Sequence, residues 1–228
     1  MLLLGIDTCG ATGTVALARL EGDDLTLLTQ TELPGKTWSA QLVPAIREIL
    51  TSRDAALAAL VAIIVTSGPG SFTGIRIGLS TAKGLAEPTS IPILAVSRLA
   101  VLAHKAGTRA AALDASRGEF YFGDFSAAAP TESLLTRDQF LNPAAAFGSQ
   151  LAVSEPTLLL VAPTAALVPP PTAADALALA VPRLRARDFD DPLLLDGNYI
   201  RRSDAEIFSG PGASGSREAP RPKSTSRA

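Results

Sequence analysis

Two stretches of this chain open in the same way, and that repeat restricts its architecture more than any other feature. Leu2 to Ile6 is an unbroken apolar run closed by Asp7; Cys9 to Gly13 then supply turn residues before a second apolar stretch, Thr14 to Leu20. Further on, Arg109 to Leu113 is closed by Asp114, Ala115-Ser116-Arg117-Gly118 make the turn, and Phe120 to Phe125 is the returning stretch. A short continuous apolar run bounded by turn residues reads as a buried strand, and two runs joined by small residues read as a hairpin. A strand–acid–turn–strand unit that occurs twice predicts an internal duplication.

Between and after these units the pattern alternates. Leu25 to Glu32 predicts a third strand, which Pro34-Gly35 ends, and Trp38 to Leu50 a helix with Leu42, Val43, Ile46, Ile49 and Leu50 at helical spacing. Leu60 to Val65 predicts a buried strand, Ser67 to Gly74 a glycine-rich turn, and the residues around Ile75, Ile77, Leu79 and Leu85 a helix. Pro92 to Val96 follows as a strand and Arg98 to Ala106 as a helix. From Ala127 the chain is rich in Ala and Pro; Thr157 to Val161 is expected as a strand, and Pro169-Pro170-Pro171 as a stiff break before a helix over Ala173 to Arg185. The expected organisation is an N-terminal lobe over 1–106, a reduced C-terminal lobe over 107–208, and a disordered tail over 209–228, where 11 of 20 residues are Gly, Pro or Ser.

Charge limits the partners. The formal net charge is −2; the last 20 residues contribute +3, which leaves −5 on residues 1–208. A body of that sign does not neutralise phosphates by itself, so stand-alone nucleic-acid binding is not expected, and the basic tail is either a solubilising arm or a contact to RNA phosphate. With 5% aromatic residues there is no basic–aromatic alternation of an RNA-binding module. Met1 to Ile6 is short and lacks the basic flank of a signal peptide, no run approaches the roughly 20 apolar residues of a membrane span, and Cys9 is the single cysteine. A cytoplasmic protein that does not enter the membrane is expected.

Chemistry can be sought in four places. An acid at a strand end beside a glycine turn can hold a hydrated Mg²⁺ while turn N–H groups approach phosphate, so Asp7 with Thr8, and Asp114 with Gly118, are candidates for a nucleotide cleft; the alternative is that both acids only cap turns. Gly68-Pro69-Gly70-Ser71-Phe72-Thr73-Gly74-Ile75-Arg76-Ile77-Gly78 can bring backbone N–H groups to an anion at a helix N-terminus, with Thr73 as a possible cap, or can serve tight strand–helix packing; it is neither a Walker A loop nor a Gly-x-Gly-x-x-Gly fingerprint. His104, the only histidine, reads as a solvated residue near a helix end. Cys9 reads as packing, because no base lies near it in sequence.

Taken as a string, Gly68 to Gly78 resembles the signature of the TsaB family, once described as glycoprotease-like. Gly5-Ile6-Asp7-Thr8, Ala82-Lys83-Gly84-Leu85-Ala86, Val96-Ser97 and Asp114-Ala115-Ser116-Arg117-Gly118-Glu119-Phe120-Tyr121 are similar too, and Tyr199-Ile200-Arg201 is similar to the family's C-terminal Tyr-Leu-Arg segment. The resemblance implies an α/β fold of the ASKHA class (actin, Hsp70, hexokinase; ribonuclease H-like), with two lobes, mixed five-stranded sheets and a reduced second lobe. It implies a degenerate paralogue of TsaD, the subunit that passes a threonylcarbamoyl group to N6 of the adenosine next to the anticodon of ANN-decoding tRNAs. Expected partners are a TsaD-type catalytic subunit, a TsaE-type ATPase, a second copy of the chain when alone, and tRNA only through the complex. No cofactor is required of this chain, although ATP or ADP with Mg can be expected at the complex interface.

TsaD holds a metal through a His-x-x-x-His pair on its first long helix. Here that helix reads Trp38-Ser39-Ala40-Gln41-Leu42, so no metal site and no catalytic residue is expected. Pairing in the family uses N-lobe helices, which makes Trp38, Leu42, Ile46, Ile49, Ile75, Leu79, Thr81 and Ala82 candidates for a partner interface; the same stripes could instead cover the lobe's own sheet. The alternative function is an ATP-dependent phosphotransferase built on Asp7 and Asp114, or a peptidase, for which no Ser-His-Asp, Cys-His or metal set exists.

Overall fold

The computed structural model describes residues 1–35 and 37–200; the predicted tail over 209–228 and the segment from Arg201 lie outside the described residues. The first sheet is built from β1 (Leu2–Asp7), β2 (Gly13–Glu21), β3 (Asp24–Leu33), β4 (Leu60–Thr66) and β5 (Ile93–Val96), in the order β3-β2-β1-β4-β5. β1 runs antiparallel to β2 and parallel to β4. Because side chains alternate across a strand, Leu4 and Ile6 of β1 and Ile63 and Val65 of β4 point into one core, while Leu3, Ala62 and Ile64 point into another. Burial on both faces is why these strands read as continuous apolar runs.

Helices cover both faces. α1 (Trp38–Thr51) and α2 (Phe72–Thr89) lie on the first, and α5 (Ala173–Ala186) on the second. Gly5 lets α5 approach: a Cβ there would meet the Ala173 carbonyl oxygen at 2.8 Å.

The second sheet repeats the plan. β6 (Ala110–Asp114), β7 (Glu119–Asp124), β8 (Thr131–Thr136), β9 (Leu151–Val153) and β10 (Ala166–Leu167) stand in the order β8-β7-β6-β9-β10, with β6 antiparallel to β7 and parallel to β9. Strand for strand this is the topology of the first sheet, so the duplicated opening marks two lobes of the ASKHA type. α4 (Arg137–Phe147) packs on one face through Phe140 and Ala144; α3 (Arg98–Ala106) packs on the other through Leu99, Leu102 and Ala103. The lobes therefore exchange helices: α3 follows the first sheet and covers the second, and α5 follows the second sheet and covers the first. Lys105 of α3 joins Asp175 of α5 in an ion pair of 2.8 Å, where the two meet.

The second lobe is reduced in a particular way. All five strands persist, but the 18-residue α2 of the first lobe has only a 3₁₀ turn, Pro156–Leu160, as its counterpart, and β9 and β10 span three and two residues. This corrects the strand expected over Thr157 to Val161. Pro156 sits at the start of the turn with its φ already helical, and of the following apolar run Leu158 turns inward while Leu160 faces solvent. The fully buried strand lies just before it, at Leu151–Val153. No helix among the described residues is long and apolar enough to cross a membrane.

Candidate functional site

The turn after β1, the glycine-rich loop before α2, the start of α3 and the turn after β6 face one another across a cleft of about 830 Å³. Gly10, Trp38, Ser71, Thr73 and Arg98 line the first-lobe wall; Asp114, Ser116, Tyr121 and Glu155 line the other. The two predicted acids are held alike: the Cys9 N–H donates to Asp7 Oδ1 at 2.8 Å, and the Ser116 N–H to Asp114 Oδ1 at 2.7 Å. Each acid therefore closes a turn on the residue two positions ahead. Their surroundings differ, since Asp114 is exposed on the cleft wall and Asp7 is only 2% exposed beneath it.

What covers Asp7 is Arg98. Its Nε lies 3.8 Å from Asp7 Oδ2, and the Arg98 side chain is 9% exposed. Gly10 makes the room, for a Cβ there would meet Arg98 Nη2 at 2.5 Å. Burial raises the Asp7 carboxyl above its ordinary pKa of 3.8, opposed by the Arg98 charge and the Cys9 N–H. An acid whose folded pKa is raised contributes stability below its unfolded pKa that is lost as pH rises through the folded value. Wild type is thus expected to lose stability relative to Asp7→Asn as pH rises from 3.8; urea titrations of both proteins across that window measure the difference, and parallel pH profiles would remove Asp7 as its source.

The glycine-rich loop is stitched to three parts of the chain. The Ser71 N–H donates to Cys9 O (2.8 Å), the Arg98 N–H to Gly68 O (2.7 Å), and the Asn198 N–H to Ser67 O (2.7 Å). Thr73 was the expected cap, but Ser71 holds that place: it is extended, and its Oγ accepts from the Gly74 N–H at 3.2 Å, whereas Thr73 already has helical backbone and offers its oxygen to no first-turn donor at that point. Gly74 sits against β1's end, where Thr8 Oγ1 donates to its carbonyl at 2.6 Å. A Cβ on Gly74 would overlap the Thr8 carbonyl oxygen and lie 2.9 Å from Trp38 Cζ3. Gly74→Ala must push α2 off the sheet, and an overpacking cost of about 1–3 kcal/mol, read from chemical denaturation, is expected; an unchanged midpoint would mean that this contact yields freely.

Of the Gly68–Gly78 signature, Gly70, Ser71, Thr73 and Ile77 reach the cleft. Gly68, with a cis peptide to Pro69, lies beneath it. Phe72 and Arg76 turn to the opposite side, where the Arg76 guanidinium sits 4.0 Å above the Phe72 ring and Tyr199 packs on that ring at 4.9 Å between centroids. Thr8 is fully buried, and Gly118 belongs to a separate shallow pocket with Arg117 and Arg137. His104 is exposed in the last turn of α3. Cys9 is buried, its Sγ donates to Thr66 O, and burial together with the Asp7 charge pushes its thiol well up, which keeps it from acting as a thiolate. Trp38, Leu42, Ile46, Ile49, Ile75, Leu79 and Ala82 all lie in the first lobe's own core, so the second reading of those stripes is the one the packing shows. The free face of α1 carries Val43, Pro44, Arg47, Glu48 and Thr51 instead.

Sequence reasoning missed Arg98 and Glu155. The available signal for Arg98 was a long charged residue directly after Val96-Ser97, at the first position of a helix that begins where a strand ends; nothing local points to Glu155.

A model of the family described as TsaD, tRNA N6-adenosine threonylcarbamoyltransferase, matches residues 30–174. The chain belongs to this family, in its TsaB/YeaZ branch. The tRNA threonylcarbamoyladenosine biosynthesis protein TsaB of Bacillus subtilis is 39% identical over 127 residues, which are 54% of each chain, and that of Escherichia coli 36% over 131 residues, 55% of each. The match thus spans about half the length of these curated relatives. Among solved structures, YeaZ from Pseudomonas aeruginosa is 28% identical with a TM-score of 0.72, covering 87% of this chain and 99% of that one. A Pseudomonas aeruginosa protein described as similar to peptidase YEAZ has 29% identity and a TM-score of 0.73, over 88% and 99% of the two chains. Both likenesses extend the ASKHA assignment over the two lobes.

Proposed function

We propose that this chain serves in the formation of N6-threonylcarbamoyladenosine, beside the anticodon of ANN-decoding tRNAs, as the non-catalytic partner and activator of a TsaD-type transferase. The observation that carries the reading is a family membership combined with a first helix that starts on Trp38-Ser39-Ala40-Gln41 and buries Trp38, in a chain whose one histidine lies exposed at the end of α3. A transition-metal site needs several convergent imidazole, thiolate or carboxylate ligands, and that helix offers none in its first turn.

The proposed docking face is the outer side of α1, beside a shallow groove of about 550 Å³ formed by Val43, Pro44, Arg47, Glu48, Thr51 and Ser52. Val43 is 54% exposed there, an apolar residue between charges of both signs. A TsaE-type ATPase joins the pair, tRNA is reached through the complex, and a second copy of the chain takes the same face when the partner is missing.

The test is co-purification with the TsaD-type subunit of the same organism, followed by transfer assays on tRNA. A complex is expected, with modification only when both proteins are present, and Val43→Asp is expected to weaken the complex about tenfold or more by burying a charge without a partner. Failure of the pair to associate, or modification by the TsaD-type subunit at full rate without this chain, would sink the proposal.

A further inference from the structure

The segment that follows α5 ties the two lobes together. It first returns along the first lobe: the Asp190 N–H donates to Ile93 O at 3.0 Å and its Oδ2 accepts the Ala95 N–H at 2.7 Å, so one residue caps the open edge of β5. Lys83 of α2 donates to Leu195 O, and Leu195 and Tyr199 pack against the first lobe's core. Ile200, the next residue, packs instead against the cluster through which α3 covers the second sheet. In one step the chain has passed from one lobe to the other.

Asn198 stands at that crossing and faces both ways. Its N–H donates to Ser67 O at 2.7 Å, at the root of the glycine-rich loop, and its side-chain amide donates to Glu132 Oε2 on β8, the edge strand of the second sheet. The other carboxylate oxygen, Glu132 Oε1, takes the hydroxyl proton of Ser97. Ser67 closes the circuit, since its N–H and its Oγ both donate to Val96 O, at 2.9 and 3.2 Å, directly before Ser97. One ring of hydrogen bonds thus joins the ends of β4 and β5, the start of β8 and the C-terminal segment. A carboxylate with each oxygen on a donor from a different element satisfies both in one arrangement only, and bonds to a charged acceptor are the stronger kind. The ring is braced from the side: a Cβ at Gly197 would meet Ile75 Cγ2 at 2.7 Å, and Tyr199 packs on the Phe72 ring, so the segment cannot slide along α2.

We propose that Asn198 and Glu132 form an interlobe latch, which fixes the loop from Ser67 to Gly74 and the first turn of α2 against the second lobe. The latch holds the lobes in one mutual arrangement, and its release loosens the glycine-rich loop and β8 together. It is independent of the partner role proposed above, because every group in it belongs to this chain.

The test is hydrogen exchange, read by mass spectrometry, on the full chain. Asn198→Asp sets two carboxylates against each other with little change of shape. Amides over 67–75 and over 131–136 are expected to exchange at least about tenfold faster at neutral pH, while β1 and β2 keep their protection. The emission of Trp38, the single tryptophan, whose Cζ3 lies 2.9 Å from a Cβ built on Gly74, is expected to shift to the red in the same variant. Glu132→Gln/Asn198→Asp re-forms the bond in the reverse direction: the new amide donates to the new carboxylate, while its carbonyl still accepts from Ser97. Exchange in the double variant is expected to return to within about twofold of wild type, or, if Asn198→Asp does not fold, the double variant is expected to restore the fold. Unchanged exchange in Asn198→Asp, acceleration confined to 188–200, or a double variant no better than Asn198→Asp would each overturn the proposal.

Discussion

Arg98→Ala is expected to lower folding stability at neutral pH by about 3–5 kcal/mol, the range for removing one partner from a buried ion pair. Asp7 is 2% exposed and is held by the Cys9 N–H and the Cys9 side chain besides the guanidinium, so the variant leaves a buried carboxylate without its counter-charge. Such a loss is a large part of the roughly 5–15 kcal/mol that holds a typical domain folded. The cost depends on pH with a definite sign: burial already raises the Asp7 carboxyl, the raise grows without Arg98, and protonation relieves the unpaired charge. The gap between the variant and wild type should therefore narrow as pH falls toward 3.8. Asp7→Asn/Arg98→Met should recover much of the loss, because replacing both partners removes the uncompensated charge. Urea unfolding of the four proteins at two pH values measures this; a gap that is constant with pH, or a double variant no better than Arg98→Ala, would show that the pair is not what stabilises this corner.

Phe140→Ala is expected to cost about 3–5 kcal/mol, the range for truncating a fully buried aromatic. Phe140 is 0% exposed, its ring stacks on Phe120 at 4.6 Å between centroids, and Phe122 meets it edge-on at 6.3 Å. Beside the aromatic group this core holds four alanines, Ala110, Ala112, Ala144 and Ala162, with Leu151, Val153 and Leu158. Methyl side chains cannot move in to fill the space that a ring leaves, so relaxation recovers little. Since the first lobe's core shares no residue with this cluster, hydrogen exchange should rise first in β7, β8 and α4 while β1 and β4 stay protected. A loss under about 1 kcal/mol, or uniform exchange over both lobes, would contradict this account.

Neither effect was legible in the sequence by itself, since nothing local pairs Arg98 with Asp7. Phe140 lay in a region where no motif was found, and only its position between β8 and β9 makes it central. The strands β1, β4 and β6 were readable because burial on both faces writes an unbroken apolar run, and the limits of α3 were readable because Ser97 and Gly107 are a cap and a stop. The strand expected over Thr157 to Val161 failed for the reciprocal reason, since four apolar residues after a proline suit a turn as well as a strand. The site was half legible: Asp7, Asp114 and the Ser67–Gly78 loop were found, because acids at strand ends and clustered glycines are local signals.

By itself the sequence determined the duplicated strand–acid–turn plan, the positions of most helices and the family, all of which rest on periodicity, caps and short strings that neighbouring residues encode. The tertiary structure decided the rest. That α3 and α5 cross to each other's sheets, that Trp38, Ile46 and Leu79 lie inside their own lobe, and that Arg98 faces Asp7 all depend on residues far apart in the chain. Local chemistry states what each side chain can do; which side chain occupies a given space is settled only when two sheets and their helices close on one volume.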